Sequence, residues 1–470
     1  MRWVTALSLM GCLETPTPRM PDTDPGPDTV VEPEGDTVVE PEVDAVVEPE
    51  VEFDTEVEFD TEVEFDTEVE FDTEVEFDTE VGPDADSDTS TCPVAPVVGG
   101  LDPLEDLSEV GQRRIANERV AVTLAESLGW MPSVITGPSG SGVDLIYDEA
   151  VTRERGLGLL LFDETSLAES PSPLSTVSSG PAMVHVRKVA DGVLGATTDL
   201  VFYADGRLHL NHRVVIAEPG LNEHWLVAHA AIPIGAVSRV QIGPDANIDL
   251  AVPSGRTSAG GVSFLGGETG LDLNARPYLC AYDPTRGDAA SFIMNTLEGR
   301  VEPRARVTES AIGASSVHSI RLQFDWARGN VPPATYGGEF LFWVDGSGSC
   351  ESAARWHRAF DRPPTMTVTR GELVLGPGDL DRDGYVEGLG HYRVGGVQRG
   401  VDASLGGEVP GLALRIDTND FAVESLRVFV DGVERCPGDY LAQPLEGGTP
   451  GGLVLLRGPL AAASAITLRW

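Results

Sequence analysis

Aspartates alternate with other residues in one short segment, and this spacing is the clearest sign of site chemistry in the chain. Asp379, Asp381 and Asp383 occupy positions 1, 3 and 5 of the segment, and Gly384 follows them. Alternate carboxylates can converge on one hard cation, while the glycine permits the sharp turn that brings them together. The spacing therefore indicates a calcium loop, and the alternative is a solvated acidic turn.

The same segment resembles the Asp-x-Asp-x-Asp-Gly loops of EF-hands, dockerins and FG-GAP-type repeats over nine residues. It departs from the EF-hand at the twelfth position, where Gly390 replaces the bidentate glutamate. The resemblance implies a structural Ca²⁺ ion, with a glutamate at the ninth position supplying the last carboxylate. The implied ligands are the side chains of Asp379, Asp381, Asp383 and Glu387 and the carbonyl of Tyr385.

A group of five histidines in the middle of the chain could hold zinc or line a cleft: His185, His209, His212, His224 and His229. His209 and His212 are three residues apart, so on a strand their side chains would point to opposite faces. This geometry argues against the simplest zinc site, and scattered structural histidines are the alternative. One face could instead line a sugar-binding cleft formed by Tyr203, His209, Asn211, His224 and Trp225.

No sequence motif names a catalytic residue. The chain lacks the Gly-x-Ser-x-Gly and His-Glu-x-x-His patterns, and its single lysine, Lys188, excludes a phosphate-binding P-loop. Trp326, Trp343 and Trp356 form an aromatic-rich region with Tyr336, and such rings either stack on sugars or fill a sandwich core. The catalytic residues are therefore unknown at this level.

The N-terminus carries an apolar run after Arg2, and it ends in Leu9-Met10-Gly11-Cys12. This pattern resembles the bacterial lipobox, in which the cysteine becomes the lipidated N-terminal residue of the mature protein. The resemblance implies that residues 1–12 form a lipoprotein signal peptide with lipidation at Cys12. We then expect an exported outer-membrane or cell-surface lipoprotein, anchored in the membrane by its lipid; the alternative is a secreted protein.

Residues 13–91 form an acidic segment that we call the stalk. It holds 30 of the 76 acidic residues of the chain, and Val51–Val81 contains five consecutive copies of Val-Glu-Phe-Asp-Thr-Glu. Carboxylates without counter-charges repel one another, which favours an extended disordered linker over a β-structured rod. The formal net charge of -44 also excludes nucleic acid as an expected partner, because phosphate binding needs basic surface.

The rest of the chain has the composition and punctuation of an all-β protein. Strand-like runs are separated by Asp-Gly pairs, which favour hairpin turns because both residues adopt positive φ. Leu101, Leu104, Leu107 and Val110 predict a short helix, and so does the stretch 350–360. We expect two β-sandwich-like domains, residues 92–362 and 365–470, after the stalk. The Asp-Gly pairs are Asp191–Gly192, Asp205–Gly206, Asp345–Gly346 and Asp431–Gly432.

Four cysteines remain after Cys12, and export to an oxidising compartment predicts one or two disulfides among them. Four cysteines permit three pairings. We favour Cys280–Cys350 within one domain, with Cys92 and Cys436 closing a long loop.

The strand pattern and domain size resemble carbohydrate-associated β-sandwich proteins of the galactose-mutarotase-like type, without transferring any catalytic residue. We expect a tethered envelope lipoprotein whose head binds an extracellular glycan or protein. The alternatives are a tethered carbohydrate-active enzyme, of the lyase or epimerase type, and a purely structural surface protein.

Overall fold

A computed structural model describes most of the chain beyond residue 99, and these residues belong to one compact unit, Asp86–Trp470. Signal peptide, stalk, Cys12, Cys92, Asp381 and His224 lie outside the described residues, and their predictions stay predictions. The described residues are 100–147, 156–162, 172–190, 194–217, 225–244, 248–252, 262–266, 277–299, 304–311, 317–327, 331–376, 379, 382–395, 398–446 and 450–470.

Two antiparallel sheets pack face to face as the large sandwich. Their inner faces share one hydrophobic core, in which the ring of Phe324 lies 5.2 Å from Phe292 and 5.5 Å from Phe340. The larger sheet is, in spatial order, β12 (Ile248–Ala251), β11 (Arg239–Gly243), β14 (Tyr278–Asp283), β15 (Asp288–Glu298), β18 (Ala334–Asp345), β9 (Arg207–Ile216), β8 (Leu194–Tyr203), β7 (Met183–Ala190) and β6 (Leu174–Ser179). The smaller sheet is β13 (Val262–Gly266), β16 (Arg304–Ala311), β17 (Val317–Ala327), β10 (Trp225–Pro233) and β5 (Leu157–Phe162).

The head begins with a four-stranded meander where a short helix was expected, so that prediction is wrong. Its strands are β1 (Glu105–Glu109), β2 (Gln112–Ala116), β3 (Ala121–Ala125) and β4 (Met131–Thr136). Leu101 and Leu104 are buried before β1 starts, whereas Leu107 and Val110 are exposed, so these four residues share no helical face. The main-chain N–H of Leu101 donates to the carbonyl of Gly438, so the chain enters the head beside its C-terminal part.

One helix, α1 (Glu351–Asp361), follows β18, and it confirms the helix expected at 350–360. Its buried residues Ala353, Trp356 and Phe360 recur at helical spacing, which turns one face of the helix onto the large sheet. A disulfide between Cys280 and Cys350 ties the start of α1 to β14, as the favoured pairing predicts. Cys436 is also disulfide-bonded.

The last part of the chain forms a second, smaller sandwich. One sheet is β19 (Met366–Arg370), β23 (Gly400–Leu405), β29 (Ala465–Arg469), β25 (Arg427–Val430) and β26 (Val433–Arg435). The other is β20 (Glu372–Leu373), β22 (His391–Gly395), β24 (Leu412–Asp417), β28 (Gly452–Leu456) and β27 (Tyr440–Pro444), with β21 (Tyr385–Val386) paired to β22. Strand β28 is buried on both faces: Val454 belongs to the core of this sandwich, whereas Leu453 and Leu455 belong to the core of the large one.

The Asp-Gly pairs have different fates. Asp431 and Gly432 both have positive φ (54° and 76°) in the β25–β26 hairpin, and Asp205–Gly206 joins β8 to β9. Asp345–Gly346 is not a hairpin turn, because β18 ends there and α1 follows. Over the described residues the all-β sandwich fold is confirmed, and none of their helices is long and apolar enough to cross a membrane.

Candidate functional site

The large sheet has a second face, turned away from its core, which we call the junction face. It packs against α1 and the small sandwich. The β8–β9 register pairs Val201 with His209 and Asp199 with Asn211, so these side chains share this face, whereas His212 points into the sandwich. The predicted opposition of His209 and His212 is thus confirmed.

The junction face collects only part of the predicted sugar cleft. Tyr203, His209 and Asn211 come together on it, because they lie on the same side of β8 and β9. Trp225 begins β10, which belongs to the other sheet, so it does not complete this cleft. Strand pairing at this range could not be deduced from the sequence.

Main-chain carbonyls of the small sandwich occupy this cleft. Residues 386–391, which we call the strap, lie across it. The hydroxyl of Tyr203 donates to the carbonyl of Leu389, and Arg207 Nη1 donates to the carbonyl of Gly390 at 3.0 Å. The predicted cleft is therefore filled, and no open groove exists over these side chains in the described residues.

Glycine makes this close approach possible. A Cβ on Gly388 would collide with the amide of Asn211, and a Cβ on Gly390 would collide with the ring of His209. Gly390 also has a φ of 69°, which disfavours other residues. His209 makes a further hydrogen bond with the main chain of Glu387.

A buried ion pair anchors this region. Arg207 Nε lies 2.9 Å from Asp205 Oδ2, and its guanidinium sits 4.3 Å from the ring centre of Tyr203 and 5.3 Å from that of Trp356. Burial would lower the pKa of Arg207, but the charge of Asp205 outweighs it and the pKa is raised. Arg207 therefore remains a cation although it is fully buried.

The junction-face histidines are neutral. Burial, together with the positive charges of Arg415 and Arg393, lowers the pKa of His391 to about 3. The Tyr203 hydroxyl gives its proton to the strap, so its oxygen accepts from His391 Nδ1 at 3.2 Å. His391 therefore carries its proton on Nδ1, and its buried Nε2 is a bare acceptor.

A narrow pocket opens between the junction face, α1 and the small sandwich; we call it the aromatic pocket. Its volume is about 350 Å³, including its mouth, and Trp356, Tyr385 and Tyr392 line it together with Glu387 and Asn295. Trp356 also lies 5.7 Å from Trp343. Of the predicted aromatic region, Trp356 thus reaches a pocket, whereas Tyr336 is buried in the core of the large sandwich.

Asn295 is the polar group of this pocket that sequence reasoning missed. It lies where the β15–β18 register shifts between Met294 and Thr296, and such a bulge re-aims the side chain of the extra residue. Asn295 is only 1% exposed, yet neither its amide oxygen nor its amide nitrogen has a hydrogen-bond partner. Buried amides normally have partners, so this one is available to a ligand or to water.

The aspartate loop borders the same pocket. Asp379 Oδ2 accepts from the N–H of Gly384 at 3.1 Å, and Asp383 Oδ1 accepts from the N–H of Tyr385 at 2.7 Å. Asp379 Oδ1 is buried without a partner, as a cation ligand would be in the absence of its ion. Among the described residues, which exclude Asp381, no three His, Cys, Asp or Glu side chains form a metal-binding group.

Two other histidines lie apart from this region of the face. His185 pairs with Asp199 at 2.7 Å near the β6 edge, and His229 lies in β10 of the smaller sheet. The structure therefore does not gather the five histidines into one site among its described residues.

No family model and no curated protein matches this chain. Solved structures align at low identity. A putative aldose 1-epimerase from Escherichia coli K12 is 9% identical, over 52% of this chain and 99% of that one, with a TM-score of 0.28. A galactose mutarotase related enzyme from Lactobacillus acidophilus is 8% identical, over 51% and 98%, with a TM-score of 0.33. A heparan sulfate lyase from Pedobacter heparinus is 7% identical, over 64% of this chain and 41% of its own length, with a TM-score of 0.34.

Proposed function

We propose that this protein is an exported lipoprotein whose head binds an extracellular carbohydrate in the aromatic pocket. Export and anchoring rest on the lipobox-like Leu9–Cys12 and on the acidic stalk that follows it. The lipid on Cys12 tethers the protein to the membrane, and the stalk separates the head from it.

The unpartnered amide of Asn295 carries the proposal for the head. A carboxamide can accept from one sugar hydroxyl and donate to its neighbour, so it suits a pair of adjacent hydroxyls. Trp356 and Tyr385 line the same pocket, and aromatic rings pack against the apolar face of a sugar ring. Because the pocket is narrow, we expect it to admit one terminal ring rather than the middle of a chain.

Calcium forms the second part of the proposal. Asp379, Asp381, Asp383 and Glu387 and the carbonyl of Tyr385 would hold Ca²⁺, and the buried, unpartnered Oδ1 of Asp379 supports this assignment. Two of these residues, Tyr385 and Glu387, also line the aromatic pocket. The ion would therefore fix one wall of the carbohydrate site, which is a structural role.

Catalysis by a lyase or epimerase mechanism is the less supported alternative. It would use Tyr203, Arg207 and His209, but all three are engaged by the strap. A protein partner, or a purely structural role, leaves the unpartnered Asn295 amide without a purpose.

A glycan array probed with the full-length protein tests the proposal, with two variants. Asn295→Ala removes the amide and should weaken the strongest signals by about 10- to 100-fold, the equivalent of one to two hydrogen bonds. Its stability should change little, since the amide has no partner to lose. Asn419→Ala removes an exposed asparagine and is the matched control. Equal binding by the parent and Asn295→Ala would contradict the proposal.

A further inference from the structure

A second pocket lies on the junction face at the opposite edge of the sheet; we call it the edge pocket. Its volume is about 520 Å³, including its mouth. Ser178, His185, His391 and Arg415 supply polar groups to it, while Met183 and Leu389 are among its apolar walls. Neither carbohydrate binding nor the calcium loop uses these groups.

A histidine and a carboxylate are paired inside this pocket. His185 Nε2 lies 2.7 Å from Asp199 Oδ1, and both residues are buried. Burial would raise the pKa of Asp199, but hydrogen bonds from His185 and Arg187 outweigh it, so the pKa is lowered. The ionised carboxylate can only accept, which places the His185 proton on Nε2 and leaves Nδ1 of the neutral ring as a base.

A hydroxyl stands next to this base. The β6–β7 register pairs Ser178 directly with His185, so the two side chains share the junction face. Directly opposed residues have Cβ atoms about 5 Å apart, close enough for a serine hydroxyl to reach an imidazole after rotation about χ1. In the structure the Ser178 hydroxyl accepts from the amide of Gln443 at 3.3 Å.

The Gln443 amide is held in one orientation. Its Oε1 accepts from the main-chain N–H groups of Ala182 and Met183 at 2.9 and 2.8 Å. Its amide nitrogen is thereby fixed beside Ser178 Oγ as a donor. A donor in this position can stabilise an oxyanion that forms next to the serine.

We propose that Ser178, His185 and Asp199 form a nucleophile, base and orienting carboxylate that hydrolyse a carboxylic ester with a short acyl group. Ser178 Oγ would attack the ester carbonyl while its proton moves to His185 Nδ1. The tetrahedral oxyanion would accept from Gln443, and collapse would break the bond to the alcohol oxygen, which takes the proton from His185. Water, deprotonated by His185, would then release the acid and regenerate Ser178. The apolar walls of the pocket suit a short acyl chain.

This activity does not depend on the proposed carbohydrate site, because the two pockets share no lining residue. The triad also escapes motif searches, since its members lie on three successive strands rather than in a nucleophile elbow.

A fluorophosphonate probe tests the triad in the full-length protein. We expect stoichiometric labelling that peptide mapping places on Ser178, and turnover of p-nitrophenyl butyrate. Ser178→Ala should abolish both, whereas Ser175→Ala, which changes an exposed serine on the same strand, should alter neither. His185→Gln and Asp199→Asn should slow labelling by about 100-fold or more.

Circular dichroism would show which variants fold, and the Ser178→Ala result decides even if Asp199→Asn does not. Absence of labelling in the folded parent would overturn the proposal. Labelling that survives Ser178→Ala would overturn it as well. Glycan binding by Ser178→Ala should equal that of the parent, which separates this test from that of the aromatic pocket.

Discussion

The buried imidazole of His212 should make the head sensitive to mild acid. His212 is fully buried against the core of the large sandwich, and its Nδ1 lies 2.9 Å from Thr198 Oγ1. Burial, reinforced by the nearby His229, lowers its pKa from 6.5 to about 3. In the unfolded chain this histidine binds a proton below pH 6.5, whereas in the folded protein it stays neutral.

The sign and size of the effect follow from this difference. Below pH 6.5 the unfolded state binds more protons than the folded one, so stability falls with pH until about pH 3. One pKa unit corresponds to 1.36 kcal/mol, so at pH 5 the loss from His212 alone is about 2 kcal/mol relative to pH 7.5. Carboxylates add little in this window, because they titrate near pH 4 or below.

Urea unfolding at pH 7.5 and pH 5, followed by tryptophan fluorescence, measures the loss. Burial also lowers the pKa values of His209 and His391, so the parent should lose more than His212 contributes. His212→Asn should shrink the pH-dependent loss by about 2 kcal/mol. Thr198→Val, the control, keeps the imidazole and should lower stability by about 1 kcal/mol at both pH values. An unchanged pH-dependent loss in His212→Asn would refute the reasoning.

Three further outcomes are expected. Calcium at 100 times its dissociation constant should stabilise the head by about 2.7 kcal/mol; Asp379→Asn should abolish this gain in a melting experiment and the exposed-site control Asp361→Asn should keep it, while a parent that ignores calcium has no such site. Replacing Cys280 and Cys350 with serine should cost about 4 kcal/mol in urea unfolding, since the bridge closes a 70-residue separation; a cost near zero would contradict this entropic account. Cys12→Ser should move the protein from the membrane pellet to the soluble fraction, and continued pelleting would disprove the anchor.

Local chemistry in the sequence predicts local structure well here. Asp431–Gly432 predicts its hairpin because positive φ at both residues favours a tight turn between strands. The helix at 351–361 follows from the spacing of its buried residues. Leu101 to Val110 misleads for the opposite reason: the apolar residues have helical spacing, but Leu107 and Val110 meet no core, and pairing with β2 decides the conformation.

Long-range contacts explain what could not be predicted. Tyr203 and His209 were expected in one cleft, and they share a face, but nothing near them in the sequence announces that residues 386–391 cover it. Asn295 reaches the aromatic pocket only because a register shift in β15 turns it there. The pairing of His185 with Asp199 likewise depends on which strands are neighbours, which a single sequence does not specify.

The hydrogen bond between Leu101 and Gly438 determines where mechanical load would enter the head. Tension on the chain before residue 101 would reach Gly438, which lies between β26 and β27, two residues from the disulfide-bonded Cys436. From there β27 passes the load to β28, the strand whose side chains belong to both hydrophobic cores. Drag on a tethered head would thus be carried by the most deeply buried strand of the small sandwich, and the exposed β1–β2 hairpin would be spared from unzipping.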